Sequence, residues 1–318
     1  MKINKPETKS IQPNILYFNP LTSYTIIGKM KLHVCFFFIM LFVISCQRNG
    51  SGSDSQKVDF EIKWITNRGL VKCESVLLDR PNKLLYVSNS AEYNFKGLGF
   101  ISKYSLDGDL IDSLWVSGLF RPTGMAIKNE RLYVCDINRL VEIDVNKGTI
   151  LNFYTIESTQ TPGLNDIVIT DNGEFYLTAS NHHAIYKFEN NQLINWIVDS
   201  TRLLWANGII SKGNKLIVAG EGLASIDIYS KEIEIIPTDS INDFDGIQPA
   251  YDNGYYLSSA GGSNCIWHLS KGGKSEVILS SDMYIADFFF DEEMGLYAPQ
   301  GNISEQDYQL VLYSLTTH

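Results

Sequence analysis

Six stretches of the chain share one plan, and their spacing constrains the fold more than any other feature. Each has a short polar or small opening, an apolar run, a turn and a second apolar run. They read "CESVLLDRPNKLLYVSN", "PTGMAIKNERLYVCD", "LNDIVITDNGEFYLTAS", "ANGIISKGNKLIVAGE", "FDGIQPAYDNGYYLSSA" and "IADFFFDEEMGLYAPQ". If the second residue of each opening triplet is the anchor, the anchors are Glu74, Thr123, Asn165, Asn207, Asp245 and Ala286. They stand 49, 42, 42, 38 and 41 residues apart, the period of a four-stranded propeller blade.

The rest of each unit fits that blade. Stretches such as "RLVEIDVNKGTILNFY" alternate apolar and polar residues around a turn, and Asp107-Gly108, Lys147-Gly148 and Gly272-Gly273 mark hairpins. Aromatics make up 12% of the chain, and no stretch carries a sustained helical period with caps. The last unit supplies only three strands, while "VDFEIKWIT" at 58–66 stands unpaired before the first. Placed as the outer strand of the sixth blade, it closes the ring and covers an exposed sheet edge. The expectation is an all-β, six-bladed propeller over 57–318; two stacked sandwiches explain the period poorly.

The N-terminal part reads differently. Lys29 and Lys31 flank the start of an apolar run from Leu32 to Ile44 that ends in "VISC". The run is too short for a comfortable membrane span, which takes about 20 residues, and fits an export signal. The ending resembles a bacterial lipobox, which implies lipidation at Cys46. Met30 followed by Lys31 reads as a start, leaving 1–29 as an upstream segment. Residues 1–45 are therefore expected to be a leader and 46–56, rich in Gly and Ser, a flexible tether, with the domain held at the cell envelope.

Beyond the leader the chain carries 21 basic and 35 acidic residues, a net charge of −14. Without a basic run, nucleic acid is excluded as a partner; the membrane is met only through the lipid, and a monomer is expected. Cys73, Cys135 and Cys265 are odd in number and widely spaced, which reads as small apolar residues rather than a disulfide framework or zinc site.

In a propeller the first strand of each blade lines the central channel. The six anchors therefore ring one mouth. Glu74, Asn165, Asn207 and Asp245 are oxygen donors, a hard anionic set suited to Ca²⁺ rather than Zn²⁺. Histidines are few, five in all, and none is an anchor. Any one Asx residue before a strand can equally be a turn residue bonding its own backbone; four at one repeat position make a more specific signal.

The run of "CESV", "LND", "ANG" and "FDG" at this spacing resembles the senescence-marker-protein/gluconolactonase/luciferin-regenerating-enzyme family, the regucalcin-like lactonases, over essentially all of 57–318. The resemblance implies that Glu74, Asn207 and Asp245 hold a divalent metal. It implies that Asn165, with Asp166 beside it, assists with metal or substrate, and that Asp245 doubles as a general base. The paraoxonases, related calcium-dependent lactonases, use a similar set. Two departures stand out. Glu-Gly-Pro at the family's first site is Glu74-Ser75-Val76 here. The Arg that several members place two residues before the auxiliary Asn is Gly163, so a substrate-binding cation is missing or comes from elsewhere.

Three functions follow. One is metal-dependent hydrolysis of a sugar lactone or related ester, with specificity from loops on the same face, the one at Asp136 among them; the candidates there are Glu92, Tyr93, His182, His183, Glu221, Asn264 and Asn302. Adjacent His182 and His183 point to opposite sides of an extended chain, so at most one faces the pocket. Another is a non-catalytic, metal-containing propeller that binds a glycan or protein at the envelope. A metal-free interaction scaffold is the third, and it leaves two carboxylates in one channel unexplained.

Overall fold

The computed structural model of the protein describes residues 59–90, 94–239, 241–259 and 263–316. The leader, Cys46, the tether, Glu92 and Tyr93 lie outside the described residues. No helix among those described is long and apolar enough to cross a membrane.

Five four-stranded antiparallel sheets follow one another along the chain, each built of consecutive strands. Their first strands are Cys73–Asp79, Pro122–Lys128, Leu164–Ile169, Ile209–Lys212 and Phe244–Pro249. A sixth sheet has a broken first strand, Tyr284–Ile285 and Phe289–Asp291, then Gly295–Asn302 and Asp307–Thr316. Its fourth strand is Asp59–Thr66, which pairs antiparallel with Asp307–Thr316. Each first strand packs on the first strand of the next blade, and that of blade six returns to blade one. The protein is a six-bladed β-propeller closed by its N-terminal strand.

Strand alternation explains why the ring holds together. Successive residues of a strand face opposite sides of a sheet, so each blade offers one apolar face to each neighbour. Leu85 and Val87 pack toward blade six, whereas Tyr86 between them packs toward blade two. Six buried clusters fill the six seams. Outer tryptophans add to the seams. Trp64 and Trp115 lie over the hairpin glycines Gly108 and Gly148 of the next blade, where a Cβ would stand 2.8 Å from each indole. Both glycines have positive φ, +82° and +68°, so the turn and the close approach require the same residue. Cys73 and Cys135 are buried in these seams and Cys265 is half-buried; all three thiols are free.

The anchors coincide with irregularities in the pairing. The register of the first strand shifts between Cys73 and Val76, Pro122 and Met125, Leu164 and Ile167, and Phe244 and Ile247. A bulge of this kind leaves residues out of the ladder and re-aims their side chains. In blade four the same step precedes the strand: Asn207 N–H donates to the Ala219 carbonyl at 2.7 Å, and Ala219 N–H to the Gly208 carbonyl at 2.8 Å. Hence "ANG" makes no hairpin. The hairpin belongs to Gly213 and Asn214, between paired Lys212 and Lys215. Hydroxyls on the second strands satisfy the displaced amides. Ser75, Asp166 and Gly246 N–H groups donate to Ser88, Thr178 and Ser258 at 3.0, 2.9 and 2.8 Å.

Candidate functional site

The bulges present three tiers of residues at one end of the channel. The anchors form the middle tier. Residues one place on (Ser75, Gly124, Asp166, Gly208, Gly246, Asp287) form a deeper tier. Residues two places before (Lys72, Arg121, Gly163, Trp205, Asp243, Tyr284) form an upper one.

In the middle tier Glu74, Asn165, Asn207 and Asp245 line one compartment of about 720 Å³. Thr123 and Ala286 are fully buried, and the Thr123 hydroxyl donates to the Cys135 and Leu164 carbonyls instead. Asp245 is 2% exposed. Burial, then the Glu74 charge, pushes its carboxyl up to about 7, against the Tyr284 hydrogen bond, the Arg121 charge and an Asn207 hydrogen bond. A neighbouring cation acts in the opposite sense.

The upper tier supplies groups that the repeat alone does not expose. The Arg121 guanidinium lies 3.1 Å from Glu74 Oε1, and it is the one cation among the described residues lining the compartment. Arg121 stands at the position in blade two equivalent to Gly163 in blade three. Asp136, fully buried, holds the segment in place. It accepts the Phe120 and Arg121 amides at 2.8 and 2.6 Å and a 2.8 Å bond from Arg139. Asp136 is therefore a clamp, not a pocket residue. Tyr284 donates its hydroxyl to Asp245 Oδ2, and its own ionisation is pushed well up by burial and then by Asp245.

The deeper tier holds two more carboxyls, Asp166 and Asp287. Burial pushes Asp166 up to about 7 and, with the charge of Asp166, raises Asp287 well above the usual range. Both side chains are half-buried. Asp166 accepts the Ile209 amide at 2.9 Å, and Asp287 the Ser75 hydroxyl at 2.7 Å. Glycine faces each of them from the preceding blade: a Cβ on Gly124 would stand 2.3 Å from Asp166 Oδ1, and one on Gly246 2.6 Å from Asp287 Oδ1.

The loop candidates divide. Asn264 and Asn302 line the main compartment together with Asp282. His182 turns to the Tyr186 hydroxyl and the Gln160 carbonyl at 2.8 and 3.0 Å. His183, at φ +50°, accepts the Trp205 amide at 3.1 Å. Glu221 is exposed. None of His182, His183 and Glu221 lines the compartment; for the two histidines the reason is that Ser180–His182 is a 3₁₀ turn rather than extended chain.

No protein-family model matches the chain, and no curated relative does. Solved structures do. A putative gluconolactonase superposes with a TM-score of 0.61 at 12% identity, over 81% of this chain and 93% of that one. The likeness is one of fold. A gluconolactonase from Xanthomonas campestris gives 0.58 at 12% identity, over 77% and 86% of the two chains. Virginiamycin B lyase from Staphylococcus aureus, solved with quinupristin, gives 0.56 at 14% over 81% and 100%. At these identities the similarity extends to the propeller architecture and not to a substrate.

No group of three His, Cys, Asp or Glu side chains placed to hold a metal occurs among the described residues. The mouth instead combines two carboxylates with two amides. That oxygen-only donor set matches what calcium takes, and burial, then the Glu74 charge, raises the Asp245 carboxyl.

Proposed function

We propose that the protein is a divalent-metal-dependent hydrolase of a lactone or related ester, with Glu74, Asn207 and Asp245 holding the ion, calcium by donor chemistry, and Asn165 assisting. The observation that carries this reading is the convergence of four oxygen-bearing side chains from four blades on one compartment that also holds Arg121 and Tyr284. When bound, the ion supplies Lewis acidity toward a carbonyl oxygen. Asp245 accepts a proton from the attacking water and returns it to the alkoxide that leaves as the acyl C–O bond breaks. Tyr284 holds Asp245 Oδ2, which leaves Oδ1 as the basic oxygen and orients it. Arg121, when its guanidinium turns from Glu74 to substrate, stabilises charge developing on the former carbonyl oxygen. Asn264 and Asn302 border the space left for the rest of the substrate.

The test is hydrolysis of a panel of aldonolactones and acyl lactones, with calcium and with EDTA. Turnover that EDTA abolishes supports the reading, and no metal-dependent turnover of any of them sinks it. The Glu74–Arg121 ion pair favours one alternative, a binding propeller whose mouth holds a glycan or protein without chemistry. Glu74→Gln combined with Asp245→Asn separates the two: lost turnover with no fall in melting temperature marks catalysis, and lost stability with no turnover to lose marks binding. Attachment to the cell envelope through lipid on Cys46 belongs to the same proposal; labelled fatty acid incorporated by the full chain and not by Cys46→Ala tests it.

A further inference from the structure

Beside the main compartment lies a second one of about 300 Å³, which shares Arg121, Asn165 and Asn207 with the first. Gly163, at φ +65°, lines it beside Asn181, whose amide lies 2.9 Å from where a Gly163 Cβ would stand. One wall is Trp205, whose side chain is unlike any other near the mouth. It is large, aromatic and 51% exposed. Its φ is +53°, a conformation that costs a bulky residue of the L series roughly 1–3 kcal/mol. The surrounding loop over-determines this placement. Leu203 and Ala206 on either side are buried, at 2% and 1% exposure, in the seam between blades three and four. The Trp205 amide is held by His183, whose ring stands edge-on to the indole at 5.3 Å and 88°. Gly220 packs beneath, where a Cβ would lie 2.8 Å from the Trp205 carbonyl. A strained backbone, two buried feet and a histidine brace thus hold a half-exposed indole at the wall of a pocket.

Apart from Trp205 and Gly163, the lining carries hydrogen-bonding groups throughout, among them Arg121, Asp243 and Asn181. One positive and one negative side chain share the wall, so the compartment favours neither an acid nor an amine. An aromatic platform bordered by a charge-balanced set of donors and acceptors fits a ring with an apolar C–H face and hydroxyls at its edge. We propose that this compartment is a saccharide subsite, with a hexose ring stacked on Trp205, and that the ligand of the mouth has at least two rings, one in each compartment. Trp205 is then a specificity residue rather than a catalytic one. The inference rests on the mouth being a ligand site, as proposed above, and narrows the substrate from a simple lactone to a glycosylated one.

Isothermal titration in calcium buffer with maltobionate, cellobionate, lactobionate and gluconate tests this. These aldonates are not hydrolysed, so binding is read apart from turnover. The expected result is that at least one disaccharide acid binds tenfold or more tightly than gluconate. Trp205→Ala should remove that advantage while leaving gluconate affinity within twofold, and Trp205→Phe should keep most of it. Melting temperatures close to that of the wild type show that the variants fold, as the half-exposed indole leads one to expect. Failure of every disaccharide acid to bind more tightly than gluconate, or an equal loss of both in Trp205→Ala, overturns the subsite. Disaccharide binding through Trp205 without turnover of any lactone overturns only the hydrolase reading. Metal-dependent turnover with no effect of Trp205→Ala on binding or KM overturns only the subsite.

Discussion

Asp245→Asn should stabilise the metal-free protein, although it removes a residue proposed for catalysis. Burial and Glu74 raise the Asp245 carboxyl from 3.8 to about 7 in the folded chain. A raised acid contributes stability that is fully present below its unfolded value and is lost as pH rises through the folded one. The window therefore runs from about pH 4 to about pH 7, and stability falls across it by up to about 1.4 kcal/mol per pH unit. Over some three units the ionised group costs on the order of 4 kcal/mol at pH 8. An amide removes that charge, and its oxygen still accepts the Tyr284 hydroxyl. For a chain of this size 1 kcal/mol moves Tm by about 2–4 °C, so the variant should melt on the order of 8–16 °C above wild type in EDTA at pH 8. At pH 4 the difference should vanish. Millimolar calcium should raise the wild type and barely move the variant, because a ligand stabilises only the state that binds it. Differential scanning fluorimetry across pH 4–8, with EDTA or calcium, reads all of this. An equal or lower Tm for the variant in EDTA at pH 8, or a flat wild-type profile between pH 5 and 8, refutes the electrostatic argument.

Other perturbations probe the supporting structure. Tyr284→Phe removes a hydrogen bond to a charged acceptor, worth about 1.5–3 kcal/mol; kcat should fall roughly 10- to 100-fold, with the acidic limb of the pH–rate profile displaced to higher pH. Asp136→Ala strands two backbone amides and the Arg139 guanidinium, which is 11% exposed. Chemical denaturation should show a loss of about 3–5 kcal/mol, partly restored in Asp136→Asn. Gly124→Ala places a methyl 2.6 Å from the Asp166 Cα and 2.8 Å from the Asn165 carbonyl. Backbone cannot swing aside as a side-chain tip can, so both melting temperature and metal affinity should drop, the latter by calcium titration.

The architecture was readable because blades repeat, and a repeat at 38 to 49 residues with oxygen donors at one phase admits few solutions. The same regularity held the key to residues that the anchors alone did not indicate. Side chains two apart along an extended chain share a side, and stepping back two places from each anchor leads to Arg121, Trp205, Asp243 and Tyr284. Asp287 escaped notice because its neighbour Ala286 is inert. The loop residues His182, His183 and Glu221 obey no period, so sequence position said nothing of their direction; a 3₁₀ turn and left-handed backbone at His183 sent both imidazoles to local partners. The identity of the ligand is equally absent from the repeat, because it depends on how single residues such as Gly163 and Trp205 depart from it.

The N-terminal strand that completes blade six also bears on how the molecule is made. Asp59 pairs with Thr316, and the Thr316 hydroxyl donates to the Asp59 carbonyl across 257 positions of sequence. A ribosome releases the first of these strands long before the last exists. Blades one to five can pair internally as they emerge, since each is a run of adjacent hairpins, but the sixth sheet waits for Asp307–Thr316. Until then the first blade lacks its last neighbour and the early strand has no edge to join. Closure thus waits for the last strand of the sheet, and loss of either Asp59–Thr66 or Asp307–Thr316 leaves the same sheet incomplete.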